Sequence, residues 1–267
     1  MRAELSLSAP LTFFLPRPRK RMMQAYETKL GPLNCIVIDG EQPASVGVVV
    51  CHGYGAPGED LVPLGAQWVD LLGEDAERCR FVFPAAPFDL ADLGMPMARA
   101  WWPLNMQRLM DAMDAEQFDE LHQHEPAGLD VARKALSETI EALVKTLDGP
   151  NPSLILGGFS QGAMLAMDTA LRGIDKPPAV LMQMSGTLIC QPIWEPLLST
   201  RLANTKVLQS HGTSDPILPY SSAEALYQLL KNAELDVRFM SFAGPHTIGP
   251  DMNDALVAEI QKQLQAT

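Results

Sequence analysis

For its length the chain is short of cysteine, of aromatic residues and of positive charge. Four cysteines are scattered over 267 residues (Cys35, Cys51, Cys79 and Cys190), and no two form a C-x-x-C pair. Such spacing excludes a disulfide framework and a thiolate metal site, and points to buried thiols in a reducing compartment. Lys and Arg number 20 against 32 Asp and Glu, a formal net charge of −12. A phosphate-binding surface needs clustered cations, so nucleic acid is not an expected partner. The one local exception is the basic run Arg17-Pro18-Arg19-Lys20-Arg21. No segment reaches the roughly 20 apolar residues of a membrane-spanning helix, and no repeat is visible.

What remains is a chain with 47% hydrophobic residues, enough to bury a large core. Residues 1–24 read as a poorly ordered extension. Leu11–Leu15 is apolar, but Glu4 and the basic run behind it invert the order of a secretion signal, and a start at Met22 or Met23 is an alternative. Residues 25–267 are expected to form one domain. From residue 33 onward, short apolar runs alternate with segments of helical spacing. Strands are expected at Cys35–Asp39, Val46–Cys51, Arg80–Pro84, Leu154–Leu156, Ala179–Met184, Lys206–Ser210 and Val237–Phe242. Helices are expected over 61–72, 129–147, 161–171, 221–230 and 251–264, the clearest through Leu129, Ala132, Leu136, Ile140 and Leu143 on one face. Continuous apolar strands separated by helices imply an α/β fold, a mostly parallel central sheet with helices on both faces. The alternation breaks between 85 and 127, a stretch with Trp101, Trp102 and five methionines. Irregular stretches of this length are more often functional than decorative.

One motif carries chemistry. Gly158-Phe159-Ser160-Gln161-Gly162 satisfies G-x-S-x-G, directly after the strand at Leu154–Leu156 and directly before a helix. This is the strand–turn–helix setting of a nucleophile elbow. A serine hydroxyl needs a base within reach, and in this arrangement acid and then histidine follow the serine in the chain. Only His211 and His246 lie beyond Ser160. Asp215 stands where a strand stops, and His246 alone comes after it, so Ser160, Asp215 and His246 are the candidate catalytic residues. Asp168, Asp175, Glu195 and Asp236 are weaker acids by position, and His211 reads as a structural histidine near a strand end. The oxyanion would be held by the backbone amides of Gln161 and of Tyr54, in the loop His52-Gly53-Tyr54-Gly55.

Together these segments resemble the phospholipase/carboxylesterase family of α/β-hydrolases, which includes the acyl-protein thioesterases. The likeness rests on Val50-Cys51-His52-Gly53-Tyr54-Gly55, Gly158–Ala163, His211-Gly212-Thr213-Ser214-Asp215-Pro216 and His246, and it spans roughly residues 33–265. The resemblance implies an α/β-hydrolase fold and a serine esterase or thioesterase, without cofactor or metal. Such an enzyme would be cytoplasmic, monomeric or homodimeric, and would act on a small-molecule or acylated substrate. Tyr54-Gly55-Ala56-Pro57 departs from the Leu-Gly-Asp usual in the thioesterases, and the stretch near 88–127 diverges as well. Met95, Met97, Trp101 and Trp102 are candidate substrate-binding residues. They would form an apolar acyl wall, with Met106 and Met110 adding to it, or simply pack onto the core. A serine peptidase of the same fold and a non-catalytic module are the alternatives.

Overall fold

The computed structural model describes residues 23–104 and 122–267. Eight strands make one sheet: β1 (Gln24–Leu30), β2 (Leu33–Asp39), β3 (Val46–Cys51), β4 (Cys79–Pro84), and, beyond a two-stranded ribbon of β5 (Phe88–Asp89) and β6 (Arg99–Ala100), β7 (Ser153–Phe159), β8 (Val180–Met184), β9 (Lys206–Gly212) and β10 (Val237–Phe242). Their order is β1-β2-β4-β3-β7-β8-β9-β10. In this sheet β1 and β2 pair antiparallel, as do β2 and β4, and every other pairing is parallel; β5 and β6 pair antiparallel. The fold is the α/β-hydrolase architecture expected from the sequence, with helices on both faces of the sheet.

The unbroken apolar run of β3 follows from this position. Val49 and Cys51 face one core, while Val46, Val48 and Val50 face the other. On the first face pack α2 (Leu129–Val144), α3 (Gln161–Arg172), α4 (Gln191–Arg201) and α5 (Tyr220–Asn232); on the second lie α1 (Val62–Leu72) and α6 (Asp251–Ala266). Trp68 of α1 is fully buried between Phe81 and Phe83, and its indole N–H donates to Asn253 Oδ1 at 2.8 Å, which ties α1 to α6. A buried indole needs such a partner, because its donor cannot reach water. Among the described residues no helix is long and apolar enough to cross a membrane. All four cysteines are free and buried, and burial pushes the Cys35 thiol up to about 11.

Besides the short β5–β6 ribbon and two 3-10 turns (Gly73–Arg78 and Ala91–Leu93), β1 and α4 lie outside the sequence expectations. β1 is an edge strand, largely exposed, with only Leu30 at its end packed against the core beside α2, so its pattern gives little periodic signal. α4 contains Pro196 in its interior, which breaks helical propensity, while Pro192 in its first turn is tolerated; Trp194 and Leu198, four residues apart, are the residues it buries fully. α2 ends at Val144, short of 147, where the Thr146 hydroxyl donates to the Leu143 carbonyl and closes the last turn. Residues 1–22 lie outside the described residues, as do Met106, Met110 and Met113.

The pairing register sets up the functional end of the sheet. Cys51 stands beside Gly158, Phe159 beside Met184, Met184 beside Ser210, and Gly212 beside Phe242. The loops leaving the C-terminal ends of β3, β7, β8, β9 and β10 therefore emerge together along one edge, where ligands bind in open α/β sheets.

Candidate active site

The turn from β7 into α3 is sharp because two other backbones press on it. A Cβ at Gly158 would collide with the Gly162 backbone and the Cys51 carbonyl, and one at Gly162 with the carbonyls of Cys51 and His52. Glycine at both positions lets the strand, the helix and the end of β3 approach without side chains between them. Between them Ser160 is held at φ 54°, ψ −118°, a conformation L-residues rarely adopt. Its neighbours over-determine it: the Ser160 N–H donates to the Met184 carbonyl at 2.8 Å, and its carbonyl accepts from Ala163 and Met164. The serine side chain consequently stands clear of both flanking elements. Gly162→Ala should destabilise the fold by about 3 kcal/mol or more, since the obstructing atoms belong to a central strand that cannot yield. Thermal denaturation reads this directly; a melting temperature within about 2 °C of the parent protein would contradict the packing argument.

Asp215 lies just beyond β9, with its side chain fully buried. Its Oδ2 accepts from His246 Nδ1 at 2.6 Å, while Oδ1 accepts from the amides of Ile217 and Leu218 at 2.8 and 2.9 Å. Burial alone would raise the Asp215 pKa. Hydrogen bonds from His211, His246 and the two amides outweigh it and hold the carboxyl well below the usual carboxylate range. His246 sits in the loop after β10, its ring 4.8 Å from that of Phe159, the residue before Ser160. The same loop is fastened to the end of β8, where the Ser185 hydroxyl donates to the Thr247 carbonyl at 2.7 Å. Three distant parts of the chain thus converge beside the elbow. No hydrogen bond joins Ser160 Oγ to His246 among the described residues, as is common where a bound substrate tightens the geometry.

The loop after β3 closes over the serine. A Cβ on Gly53 would stand 3.4 Å from the Ser160 Cβ. The Gly55 amide is committed to the Arg99 carbonyl at 2.9 Å, so the neighbouring Tyr54 amide remains the candidate donor of this loop. His52, whose part was not legible in the sequence, shapes the loop from beneath. Its Nδ1–H donates to the Gly53 carbonyl at 2.8 Å, and its Nε2 accepts from the Ala86 amide at 3.0 Å. That arrangement requires the neutral ring, and burial pushes the His52 pKa down accordingly. Trp101 and Trp102 are buried behind this loop and pack in the core. The Trp101 indole donates to the His52 carbonyl, its amide donates to Gln161 Oε1, and Gln161 Nε2 donates to the Trp102 carbonyl, each at 2.9 Å. The pair thereby joins the loop carrying Tyr54 to the elbow carrying Gln161. Met97 is exposed, and Met95 packs with Tyr54 and Phe88 on a small cluster of Leu90, Ala98 and Ala100.

Two of the competing acids are otherwise engaged. Asp168 is fully buried and accepts from Arg133, Arg172 and the Trp194 indole at 2.7, 2.7 and 2.8 Å. Asp236 pairs with Lys206 at 2.6 Å. A cleft of about 890 Å³ between the ends of α2 and α6 lies at the opposite edge of the sheet, lined by Ile140, Leu154 and Arg201, and takes no part in this site.

A strained serine between a parallel strand and a helix, with an aspartate–histidine pair at later strand ends, defines an α/β-hydrolase. The chain belongs to the phospholipase/carboxylesterase family, whose model matches residues 33–264. It is similar to acyl-protein thioesterase 1 of Mycosarcoma maydis, 29% identical over 75% of this chain and 87% of that one. The same-named protein of Eremothecium gossypii is 29% identical over 84% and 91%. Among solved structures, esterase PE8 superposes with a TM-score of 0.65 at 28% identity, covering 90% of this chain and 98% of that one. Acyl-protein thioesterase 2 of Zea mays, at 20% identity and a TM-score of 0.61 over 86% and 98%, shares the fold. The protein is a hydrolase of the carboxylesterase/thioesterase type.

Proposed function

We propose that Ser160, His246 and Asp215 form the catalytic triad of a serine ester or thioester hydrolase working through an acyl-enzyme. The observation that carries the reading is the 2.6 Å hydrogen bond between Asp215 and His246 in a loop packed against the elbow. With its Nδ1–H donated to Asp215, His246 keeps an unprotonated Nε2 for the serine. Ser160 Oγ attacks the acyl carbonyl as His246 Nε2 takes its proton, and Asp215 stabilises the imidazolium. The oxygen that becomes negative is held by the amides of Tyr54 and Gln161, fixed in advance by the Trp101–Gln161–Trp102 hydrogen bonds. The tetrahedral species collapses as His246 returns the proton to the departing alcohol or thiol. Water then attacks the acyl carbonyl as His246 takes its proton, and His246 returns that proton to Ser160 Oγ as the carboxylic acid leaves. We further read residues 25–267 as one hydrolase domain, in keeping with one central eight-stranded sheet and a family match that runs from 33 to 264.

The acyl donor is an acylated small molecule or acylated protein, with Met95 and Met97 as candidate contacts near the Tyr54 loop. A fluorophosphonate should label the protein with a stoichiometry near one, and peptide mapping should place the adduct on Ser160; an adduct elsewhere, or none, would sink the triad. Matched oxygen and thioesters from acetyl to octanoyl, run beside chromogenic peptides, define the substrate class. Turnover of the peptides alone would replace the esterase reading with a peptidase.

A further inference from the structure

We propose that His211 is a positioning residue that, together with His246, fixes Asp215 at Oδ2. His211 ends β9, its ring fully buried beside Tyr220 at 6.3 Å. Its Nε2 lies 2.9 Å from the Leu218 carbonyl and 3.2 Å from Asp215 Oδ2. A carbonyl and an ionised carboxylate are both acceptors only, so Nε2 must carry the proton and share it between them. The opposite tautomer would set a lone pair against two negative oxygens. Nδ1 is then left bare, and it is buried without a hydrogen-bond partner among the described residues.

The consequence lies in the geometry of the carboxylate. Oδ1 is held by the Ile217 and Leu218 amides, and Oδ2 lies between two imidazoles, His246 at 2.6 Å and His211 at 3.2 Å. A carboxylate held at both oxygens by four donors cannot turn about its last bond, so its orientation toward His246 is set before any substrate arrives. By holding the Leu218 carbonyl as well, His211 closes the turn from 215 to 218 that presents those amides. A purely structural histidine would satisfy Leu218 alone; contact with the same oxygen that meets His246 makes this one part of the site's alignment.

The proposal rests on Asp215 being the triad acid, and the tests separate the two. In the ¹⁵N-labelled parent protein at pH 7, long-range ¹H–¹⁵N correlations should show His211 with Nε2 protonated and Nδ1 bare, and a protonated Nδ1 would overturn the proposal without any variant. His211→Leu removes the donor, whereas His211→Gln keeps an N–H near the Nε2 position. With rates counted per fluorophosphonate-reactive site, His211→Leu should lower kcat about tenfold while KM stays within about twofold, and His211→Gln should recover most of the loss. A parent-like kcat in His211→Leu, or a glutamine variant no better than the leucine one, would overturn it. Failure of the underlying triad shows elsewhere, as a parent-like kcat in Asp215→Asn.

Discussion

Ser160→Ala is expected to lower kcat/KM for p-nitrophenyl esters by about 100,000-fold and to abolish fluorophosphonate labelling, with little change in stability. The size follows from what is lost. Without Oγ there is no covalent intermediate, and His246 has only water to activate, at a position no side chain holds. The rate that remains comes from the Tyr54 and Gln161 amides, which are main-chain groups and survive the substitution. Stability should hold because an alanine Cβ meets the same positive-φ strain that the serine already bears, and the bonds of the elbow backbone to Met184, Ala163 and Met164 are untouched. Circular dichroism and thermal melting establish the fold, and steady-state kinetics the loss. Turnover within about tenfold of the parent protein in a folded variant would remove Ser160 from the mechanism.

Much of this site was legible because its signals are local or ordered along the chain. The elbow is a five-residue pattern whose setting, an apolar strand before and an amphipathic helix after, can be read from periodicity. β3 and β10 stand at the expected Val46–Cys51 and Val237–Phe242 for the same reason. Chain order points to His246, and Asp215 stands out among the acids that fit the order because it follows the end of a strand; the hydrogen bond between them depends on β9 and β10 pairing in parallel. What escaped the sequence depends on tertiary contact. Nothing in the spacing of His211 and Asp215 says that the turn to Leu218 folds back and brings the Leu218 carbonyl and Asp215 Oδ2 to the same ring nitrogen of His211. Trp101 and Trp102 were ambiguous between acyl wall and packing, because a run of tryptophan and methionine has the same composition in either role. The Trp101 indole is held by the His52 carbonyl, and both rings are buried in the core. α4 was hidden by its prolines, and β1 by its exposed edge.

Asp215→Asn should lower kcat about 10,000-fold and leave KM nearly unchanged. The carboxamide can keep its oxygen on the Ile217 and Leu218 amides, but its NH₂ then faces His246 Nδ1 and His211 Nε2, both of which donate in the parent protein. Two donors cannot bond, so His246 relieves the clash by moving its proton to Nε2. That tautomer offers Ser160 a proton when it should accept one. Substrate contacts are unaffected, which confines the loss to kcat. The substitution also carries a signature in stability. The folded protein holds the Asp215 carboxyl well below its usual range. A depressed carboxylate stabilises the fold above the unfolded value of about 4, and the contribution disappears as pH falls through the folded value. Urea midpoints should therefore favour the parent protein at pH 7, with the gap to Asp215→Asn narrowing steadily below about pH 4. A gap independent of pH, or a kcat within about tenfold of the parent, would mean that Asp215 neither carries the charge nor orients the base.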